Sequence, residues 1–204
     1  MICSIHDYRY YLQADRLALG TQKPSNMQES FAYRFWNETL KFEELLRKTE
    51  YYQNCSKGKL SGVYFYYLRN ELHKRQIKLS LFVPPNCFGP GLSIAHLGPI
   101  IVNNRARIGA NCRINVGTVI ATKAGFADKT PVIGDNVYIG SGAKIFGDIV
   151  IADGIAIGAN SVVNKSFTEP NVTIAGNPAK IISSKGSKGL LVEATKILKD
   201  NKNI

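Results

Sequence analysis

Three histidines are the side chains of this chain best suited to proton transfer near neutral pH. An unperturbed imidazole, with a pKa of about 6.5, can take a proton from a hydroxyl group and return it to a leaving group. His6 lies near the N-terminus, and His73 lies among charged residues of a predicted helix. Only His96 falls in a long repetitive stretch, beside a Gly98-Pro99 turn. Its surroundings therefore decide whether it is a catalytic base or a surface residue.

The four cysteines suggest no other chemistry. Cys3, Cys55, Cys87 and Cys112 are widely spaced and form no CxxC pair, which argues against a zinc site and against a disulfide framework. No cysteine or serine lies in a nucleophile motif. We therefore expect no metal and a reducing, cytoplasmic compartment. The segment MICSIHDYRY is too polar for a secretory signal, and no apolar run approaches the roughly 20 residues of a membrane span.

The composition is that of a globular protein with an excess of positive charge. Hydrophobic residues make up 45% of the chain and charged residues 20%, so global disorder is not expected. Lysine and arginine number 26 against 15 acidic residues, which gives a formal charge of +11. This excess is spread along the chain, without a basic helical stripe or an RNA-binding aromatic signature. We expect no nucleic-acid partner.

A six-residue repeat occupies the middle of the chain. Isoleucine or valine recurs at every sixth position, and the pattern is interrupted once, over residues 121–131. The repeated positions are Val102, Ile108, Ile114, Ile120, Ile133, Ile139, Ile145, Ile151, Ile157 and Val163. Neither a helix nor a flat strand has this period, and a fixed short period over so long a span indicates a solenoid.

Three short strands joined by tight turns explain the period. If each side with its turn takes six residues, three hexapeptides close one triangular coil, and the same position on every side points to the axis. Stacked β-branched residues suit such an interior. Glycine and asparagine suit the corners, where positive φ is cheap for them. The sequence therefore predicts a mainly β fold in the shape of a prism.

Helical segments flank the predicted prism. We expect an N-terminal helical domain over residues 1–80, the prism over 81–182 and a C-terminal helix or tail over 183–204. In the first segment, Asp7 is predicted to cap a helix, and Ser25 with Gln28 resembles a capping box. In the last, apolar residues from Leu190 to Leu198 predict a short helix that docks on the prism end or on a neighbouring subunit.

The repeat resembles that of the hexapeptide-repeat acyltransferases, whose fold is a left-handed parallel β-helix. The stretch FGPGLSIAHLGPIIVNNRARIGANCRI is similar to the serine acetyltransferase-like branch, which includes polysaccharide O-acetyltransferases. IAGNPAKII resembles the segment that closes the prism in these proteins. The resemblance implies that His96 is the catalytic base of acetyl transfer from acetyl-CoA to a hydroxyl group. Because no cysteine or serine lies in a nucleophile motif, we expect direct transfer without an acyl-enzyme intermediate.

The same resemblance implies a donor site and an assembly. Acetyl-CoA is expected in a groove between adjacent prisms, and the interruption at 121–131 is expected to reach the active site of a neighbour. These features predict a homotrimer, with a hexamer as a further possibility. The residues that match the donor site are Ser141, Ala159, Asn164, Lys165 and Lys180.

Four positions depart from the serine acetyltransferase pattern. Leu81 stands where an aspartate orients the catalytic histidine, and Ala95 stands where an aspartate contacts serine. Lys129 and Thr130 replace an arginine-histidine pair. These changes predict a neutral acceptor, namely a sugar hydroxyl in capsular or other surface polysaccharide biosynthesis. The expected substrate contacts are Asn103, Asn104, Asn115, Lys129 and Thr130.

Two alternatives remain, of which only the second belongs to a different class of function. One is a serine O-acetyltransferase of cysteine biosynthesis with a rebuilt pocket. The other is a non-catalytic prism used for assembly or binding, which Leu81 at the orienting position would suit.

Overall fold

The computed structural model describes residues 1–20 and 36–201. Its helices are α1 (Ile5–Ala18), α2 (Glu38–Cys55), α3 (Lys59–Leu79) and α4 (Ala194–Asp200). The predicted capping box of Ser25 and Gln28 lies outside the described residues. Within those two ranges, no helix combines the length and the apolarity that crossing a bilayer requires.

Helix α1 begins one turn before the predicted cap. The Ser4 hydroxyl accepts a hydrogen bond from the Asp7 amide at 3.0 Å, and the Asp7 carboxylate accepts one from the Cys3 amide at 3.0 Å. Ser4 is therefore the cap, and Asp7 lies in the first turn, from which its carboxylate bonds back to the residue before the cap. The prediction that Asp7 itself is the cap was wrong, because the serine three residues earlier supplies the acceptor.

The prism consists of short strands arranged in three sheets. The strands are β1 (Leu81–Phe82), β2 (Ser93–Ile94), β3 (Ile100–Val102), β4 (Arg107–Ile108), β5 (Arg113–Ile114), β6 (Val119–Ala121), β7 (Val132–Ile133), β8 (Tyr138–Ile139), β9 (Lys144–Phe146), β10 (Val150–Ile151), β11 (Ala156–Ile157), β12 (Val162–Val163), β13 (Thr173–Gly176) and β14 (Ala179–Ser183). The sheet orders are β1-β3-β6-β9-β12, β10-β7-β4 and β14-β13-β11-β8-β5-β2. All pairs are parallel except β13 with β14.

The six-residue repeat forms the interior of the prism, as predicted. All ten repeated positions are at most 4% exposed. Ile139 pairs in register with Ile157, three hexapeptides later, so equivalent isoleucines stack along the axis. Asn111, Asn136 and Asn160 turn corners with φ near +55°, a conformation that asparagine tolerates better than most residues.

The interruption of the repeat forms an exposed loop at one corner. Ile108 pairs with Ile133, so the stack of interior isoleucines continues in register on the far side of residues 121–131. Within the loop, the Lys123 amide donates to the Lys129 carbonyl at 2.8 Å. The loop therefore adds length at a corner without displacing the interior.

The C-terminal segment returns to the helical end of the molecule. Helix α4 packs against α1, where Ala14, Ala18 and Ala194 are buried together. Thr195 joins it to a prism corner, because its amide donates to the Asn111 side chain at 3.1 Å. The helix begins later than predicted, since Leu190 precedes it and is exposed. Within this chain, the helix docks on α1 and on the corner of the prism.

Candidate active site

His96 lies two residues after the end of strand β2, at the corner between the six-stranded and the five-stranded sheet. Ile94 points into the core, Ala95 is half-buried and His96 is exposed. In residues 1–20 and 36–201, we find no hydrogen-bond partner for the imidazole. The side chain expected to act as a base is therefore accessible to a substrate.

Successive coils stack at this corner through main-chain hydrogen bonds. The Gly117 amide donates to the Pro99 carbonyl at 2.7 Å, and the Asn160 amide donates to the Ser141 carbonyl at 2.8 Å. We call this column of corner residues, 95–99, 115–117, 140–142 and 158–160, the His96 edge. Ser141 and Ala159 lie on it and are exposed. These two predicted donor contacts thus share an edge with the candidate base.

Asn115 also lies on the His96 edge, but its side chain is already engaged. It is 6% exposed, and its amide nitrogen donates to the Ile139 carbonyl at 2.8 Å. In this conformation Asn115 holds one coil to the next.

The other predicted substrate residues lie at a different corner, between the five-stranded and the three-stranded sheet. We call its residues, 103–106, 121–131, 147–149 and 164–166, the loop edge. Four of the predicted acceptor contacts and two of the predicted donor contacts belong to it. They are Asn103, Asn104, Lys129, Thr130, Asn164 and Lys165. The structure therefore divides the predicted site between two edges of one chain.

Side chains on the loop edge are held by local hydrogen bonds. The Lys129 ammonium lies 2.8 Å from the Asp148 carboxylate, and the hydrogen bond raises the pKa of Lys129. The Thr130 hydroxyl donates to the Arg105 carbonyl at 3.2 Å. Asp148 thus keeps Lys129 charged, although it also occupies one side of the ammonium.

Lys180 lies at the closing end of the prism. It is exposed on β14, opposite Ala175 of β13. The Gly176 amide of the same hairpin donates to the Ser161 hydroxyl at 3.3 Å, beside the His96 edge. The hairpin therefore places Lys180 at the top of the edge on which Ser141 and Ala159 lie.

Leu81 is part of the interior and provides no partner for His96. It is fully buried in strand β1, where it pairs with Ile100. The aspartate expected from the family pattern is thus replaced by a packing residue.

Sequence reasoning missed a buried charge cluster beneath the His96 segment. It consists of Asp15 of α1 with Glu43, Arg47 and Glu50 of α2. The Arg47 guanidinium lies 2.7 Å from Asp15 and 3.0 Å from Glu50, with all three side chains at most 3% exposed. Burial alone lowers the pKa of Arg47, but the two carboxylates outweigh it and the net shift is upward. The spacing 43, 47, 50 on the buried face of one helix was the available signal.

The cluster binds the main chain that leads to His96. Arg47 donates to the carbonyls of Phe88 and Gly89 at 3.0 and 2.7 Å. The carboxylates accept the main-chain amides of four residues at 2.7–2.9 Å. These are Asn86 on Glu50, Gly91 and Leu92 on Asp15, and Ile94 on Glu43. Helices α1 and α2 therefore hold the first coil of the prism.

Glu43 gives a testable pH dependence of stability. Burial, followed by repulsion from Asp15, raises its pKa well above 4.5. The folded state therefore favours the neutral acid. The stability that Glu43 contributes is fully present below pH 4.5 and is lost as the pH rises through the raised pKa. The free-energy gain of Glu43→Gln over the native protein should grow from pH 5 to pH 8, as measured by urea unfolding.

A surface substitution provides the control. Glu71→Gln changes a carboxylate on α3 that pairs with exposed Lys74, and its effect should stay nearly constant over the same range. A Glu43→Gln difference that does not change with pH would contradict a raised pKa of Glu43.

The cysteines that lie in the prism are packing residues. Cys87 is 2% and Cys112 1% exposed, and burial raises the pKa of the Cys87 thiol to about 11. A thiol in this state is a poor nucleophile at neutral pH. Across the part of the chain that the structure describes, no three His, Cys, Asp or Glu side chains converge as metal ligands would.

Comparison with known proteins identifies the family. No family model matches the chain. Over 133 residues, it is 31% identical to the serine acetyltransferase of Helicobacter pylori, and the match covers 58% of this chain and 77% of that protein. The chain belongs to the serine acetyltransferase family. Even so, this family member spans only 27% and 51% of the length of two other curated serine acetyltransferases that it matches.

Solved structures of serine acetyltransferases share the fold. A soybean serine acetyltransferase complexed with serine matches 87% of this family member and 70% of its own chain, with a TM-score of 0.68 and 27% identity. A Brucella abortus serine acetyltransferase in complex with coenzyme A matches 89% and 68%, with a TM-score of 0.65 and 27% identity. The predicted fold, a left-handed parallel β-helix with helical segments at its two termini, is confirmed.

The predicted sugar acceptor is wrong. The similar proteins are serine acetyltransferases in both sequence and structure, which favours the alternative acceptor, serine, over a surface polysaccharide. The prediction treated Ala95, Lys129 and Thr130 as a lost serine pocket. Those residues lie at two different edges of this serine acetyltransferase family member, so their identities do not define one pocket within a single chain.

Proposed function

We propose that this protein is an acetyl-CoA-dependent serine O-acetyltransferase. The observation that carries the proposal is the exposed His96, placed on an edge with Ser141 and Ala159 in a chain of the serine acetyltransferase family. A base at this position can activate the hydroxyl of serine, which is a weak nucleophile while protonated.

His96 serves first as a base and then as an acid. It removes the proton of the serine hydroxyl as the oxygen attacks the thioester carbonyl, and a carbon–oxygen bond forms. The carbon–sulfur bond then breaks, and the imidazolium gives its proton to the departing thiolate of CoA. Direct transfer is consistent with the burial of Cys87 and Cys112, which leaves neither thiol available to carry the acetyl group.

The His96 edge has the character of a donor site. Ser141 and Ala159 are small and exposed, so an extended thioester can approach the main chain of successive coils there. Lys180, at the top of the edge, and Lys165, on the loop edge, are exposed cations that suit the phosphates of CoA. Asn164 lies beside Lys165.

The division of the site between two edges favours a homotrimer. In such an assembly, the loop edge of one chain faces the His96 edge of the next. That arrangement would bring Lys129 and Thr130, with Asn103 and Asn104, toward the His96 of a neighbour. The Lys129 ammonium is then available to pair with the carboxylate of serine, on the side that Asp148 leaves open.

Steady-state kinetics test the proposed acceptor. CoA thiol release should require L-serine, with kcat/KM above about 10⁴ M⁻¹s⁻¹, the lower end of ordinary enzyme efficiency. The product should be O-acetylserine by mass spectrometry. Light scattering on the same preparation should give a mass three times that of the chain.

Two controls make the assay specific. N-acetylserine methyl ester retains the hydroxyl but lacks both charges of the substrate, and its turnover should be at least tenfold lower (~1.4 kcal/mol). A panel of sugars and oligosaccharides tests the acceptor that the comparisons disfavour. Turnover of a sugar with no turnover of L-serine would overturn the proposal.

A further inference from the structure

Strand β2 is the terminal strand of its sheet, and it leads directly to His96. The amides of Ser93 and Ala95 donate to the neighbouring strand, at the carbonyls of Cys112 and Ile114. The amide between them, on Ile94, points to the open edge of the sheet. A buried main-chain donor without a partner is costly, and here the Glu43 side chain accepts it at 2.9 Å.

Glu43 is built into this position from α2. It is 1% exposed, and one carboxyl oxygen takes the Ile94 amide. In the described ranges, the other carboxyl oxygen and the hydroxyl of Ser93 are buried without a hydrogen-bond partner. This bond is the last contact that the buried charge cluster makes before His96, two residues further on.

We propose that Glu43 is a positioning residue for His96. By holding the Ile94 amide at the open edge of the sheet, it fixes the end of β2 and therefore the place from which the imidazole reaches the acceptor. The family pattern provides an aspartate at position 81 for orientation, and this chain has buried Leu81 instead. Here a side chain of α2 positions His96 indirectly, through its hydrogen bond to the main chain at Ile94. The proposal rests on the proposed function in that His96 is the base.

The state of Glu43 sharpens the test. Burial raises the pKa of Glu43 well above its usual value, which shifts the group toward its uncharged form. Glutamine offers the same carbonyl oxygen at the same length, so Glu43→Gln should retain the contact. Methionine has a side chain of similar length and volume but no oxygen to accept the amide. Aspartate keeps the carboxyl group but is shorter by one methylene, so its oxygens lie farther from the Ile94 amide. Gln76→Met is a matched control, because it removes another side-chain bond to the same end of the prism, from α3 to the Val83 carbonyl.

The experiment combines kinetics with amide exchange of the full chain. For Glu43→Met, kcat with L-serine should fall about tenfold, as loss of one hydrogen bond predicts, while KM for acetyl-CoA stays within about twofold. The Ile94 amide, followed by mass spectrometry with electron-transfer fragmentation, should exchange at least about tenfold faster. Glu43→Asp should change both quantities in the same direction. Glu43→Gln and Gln76→Met should stay within about twofold of the native protein in both.

Several outcomes would overturn the proposal. Unchanged Ile94 exchange in Glu43→Met would show that the contact does not hold the strand, and a native kcat would show that the contact does not matter for turnover. A kcat in Glu43→Gln as low as in Glu43→Met would instead assign Glu43 a role as an ionised group. Should Glu43→Met not fold, Glu43→Asp decides between the same outcomes. Exchange needs no substrate, so failure of the native protein to acetylate serine would count against the proposed function separately.

Discussion

Replacing His96 with asparagine is expected to lower kcat for serine acetylation at least about a hundredfold, in line with the loss of a general base. Asparagine has a similar size and can form hydrogen bonds, but it cannot take the proton of the hydroxyl. Because His96 is exposed and lies outside the core, the fold should be unaffected. Affinity for CoA, measured by calorimetry, should stay within about twofold of the native value, since the proposed donor contacts are other residues.

A second histidine provides the control for this substitution. His73 lies exposed on α3, and His73→Asn should keep the native kcat. If His96→Asn retained near-native turnover, another group would have to be the base. If it lost CoA binding together with turnover, the substitution would have disturbed the donor site and not the proton transfer.

Replacing Arg47 with methionine is expected to reduce the free energy of unfolding by about 3–5 kcal/mol, the usual cost of breaking a buried ion pair from one side. Asp15 and Glu50 would remain buried without their cation, and the carbonyls of Phe88 and Gly89 would lose their donor. Methionine fills much of the vacated volume, so the decrease in the free energy of unfolding comes mainly from the unpaired carboxylates and less from a cavity. Urea unfolding at a fixed protein concentration measures it.

An exposed ion pair gives the comparison. Lys74 pairs with Glu71 on the surface of α3, where its side chain is 65% exposed. Exposed pairs contribute roughly 0–1 kcal/mol, so Lys74→Met should change the free energy of unfolding by less than about 1 kcal/mol. A loss of similar size in Arg47→Met would mean that the cluster is hydrated or unimportant for stability.

The interior of the prism was predictable from the sequence because one geometric constraint fixes it. A triangular coil presents every sixth residue to its axis, so Ile139 and Ile157 could be assigned to the core from their spacing alone. Corner asparagines such as Asn136 followed from the same geometry. The start of α1 was not fixed in this way, since Ser4 and Asp7 are both residue types that favour helix caps, and the structure places Ser4 at the cap.

The buried charge cluster could not be predicted in the same way. Glu43, Arg47 and Glu50 are residue types that usually face solvent, and their partner Asp15 lies on another helix. Only the docking of α1 and α2 on the first coil turns them into a buried network. The pattern of charges at positions 43, 47 and 50 indicates one face of a helix, but not what that face contacts.

The acceptor was misjudged for a related reason. Ala95 and Lys129 were compared with a family pattern as if each position had to supply its own contact. The structure places Ala95 and Lys129 at different corners of the prism. In a pocket assembled from two edges, a charged side chain at another position can contact the acceptor. Substitutions at single positions therefore predict the acceptor less well than the overall similarity of the chain does.

The loop at 121–131 has a consequence for how such a protein can diversify. Since Ile108 pairs with Ile133 on either side of it, the number of residues at this corner is independent of the packing inside. Lengthening an exposed loop costs little free energy, only about 0.6 kcal/mol for each doubling. Residues can therefore be gained or lost there while every isoleucine of the interior stays in place.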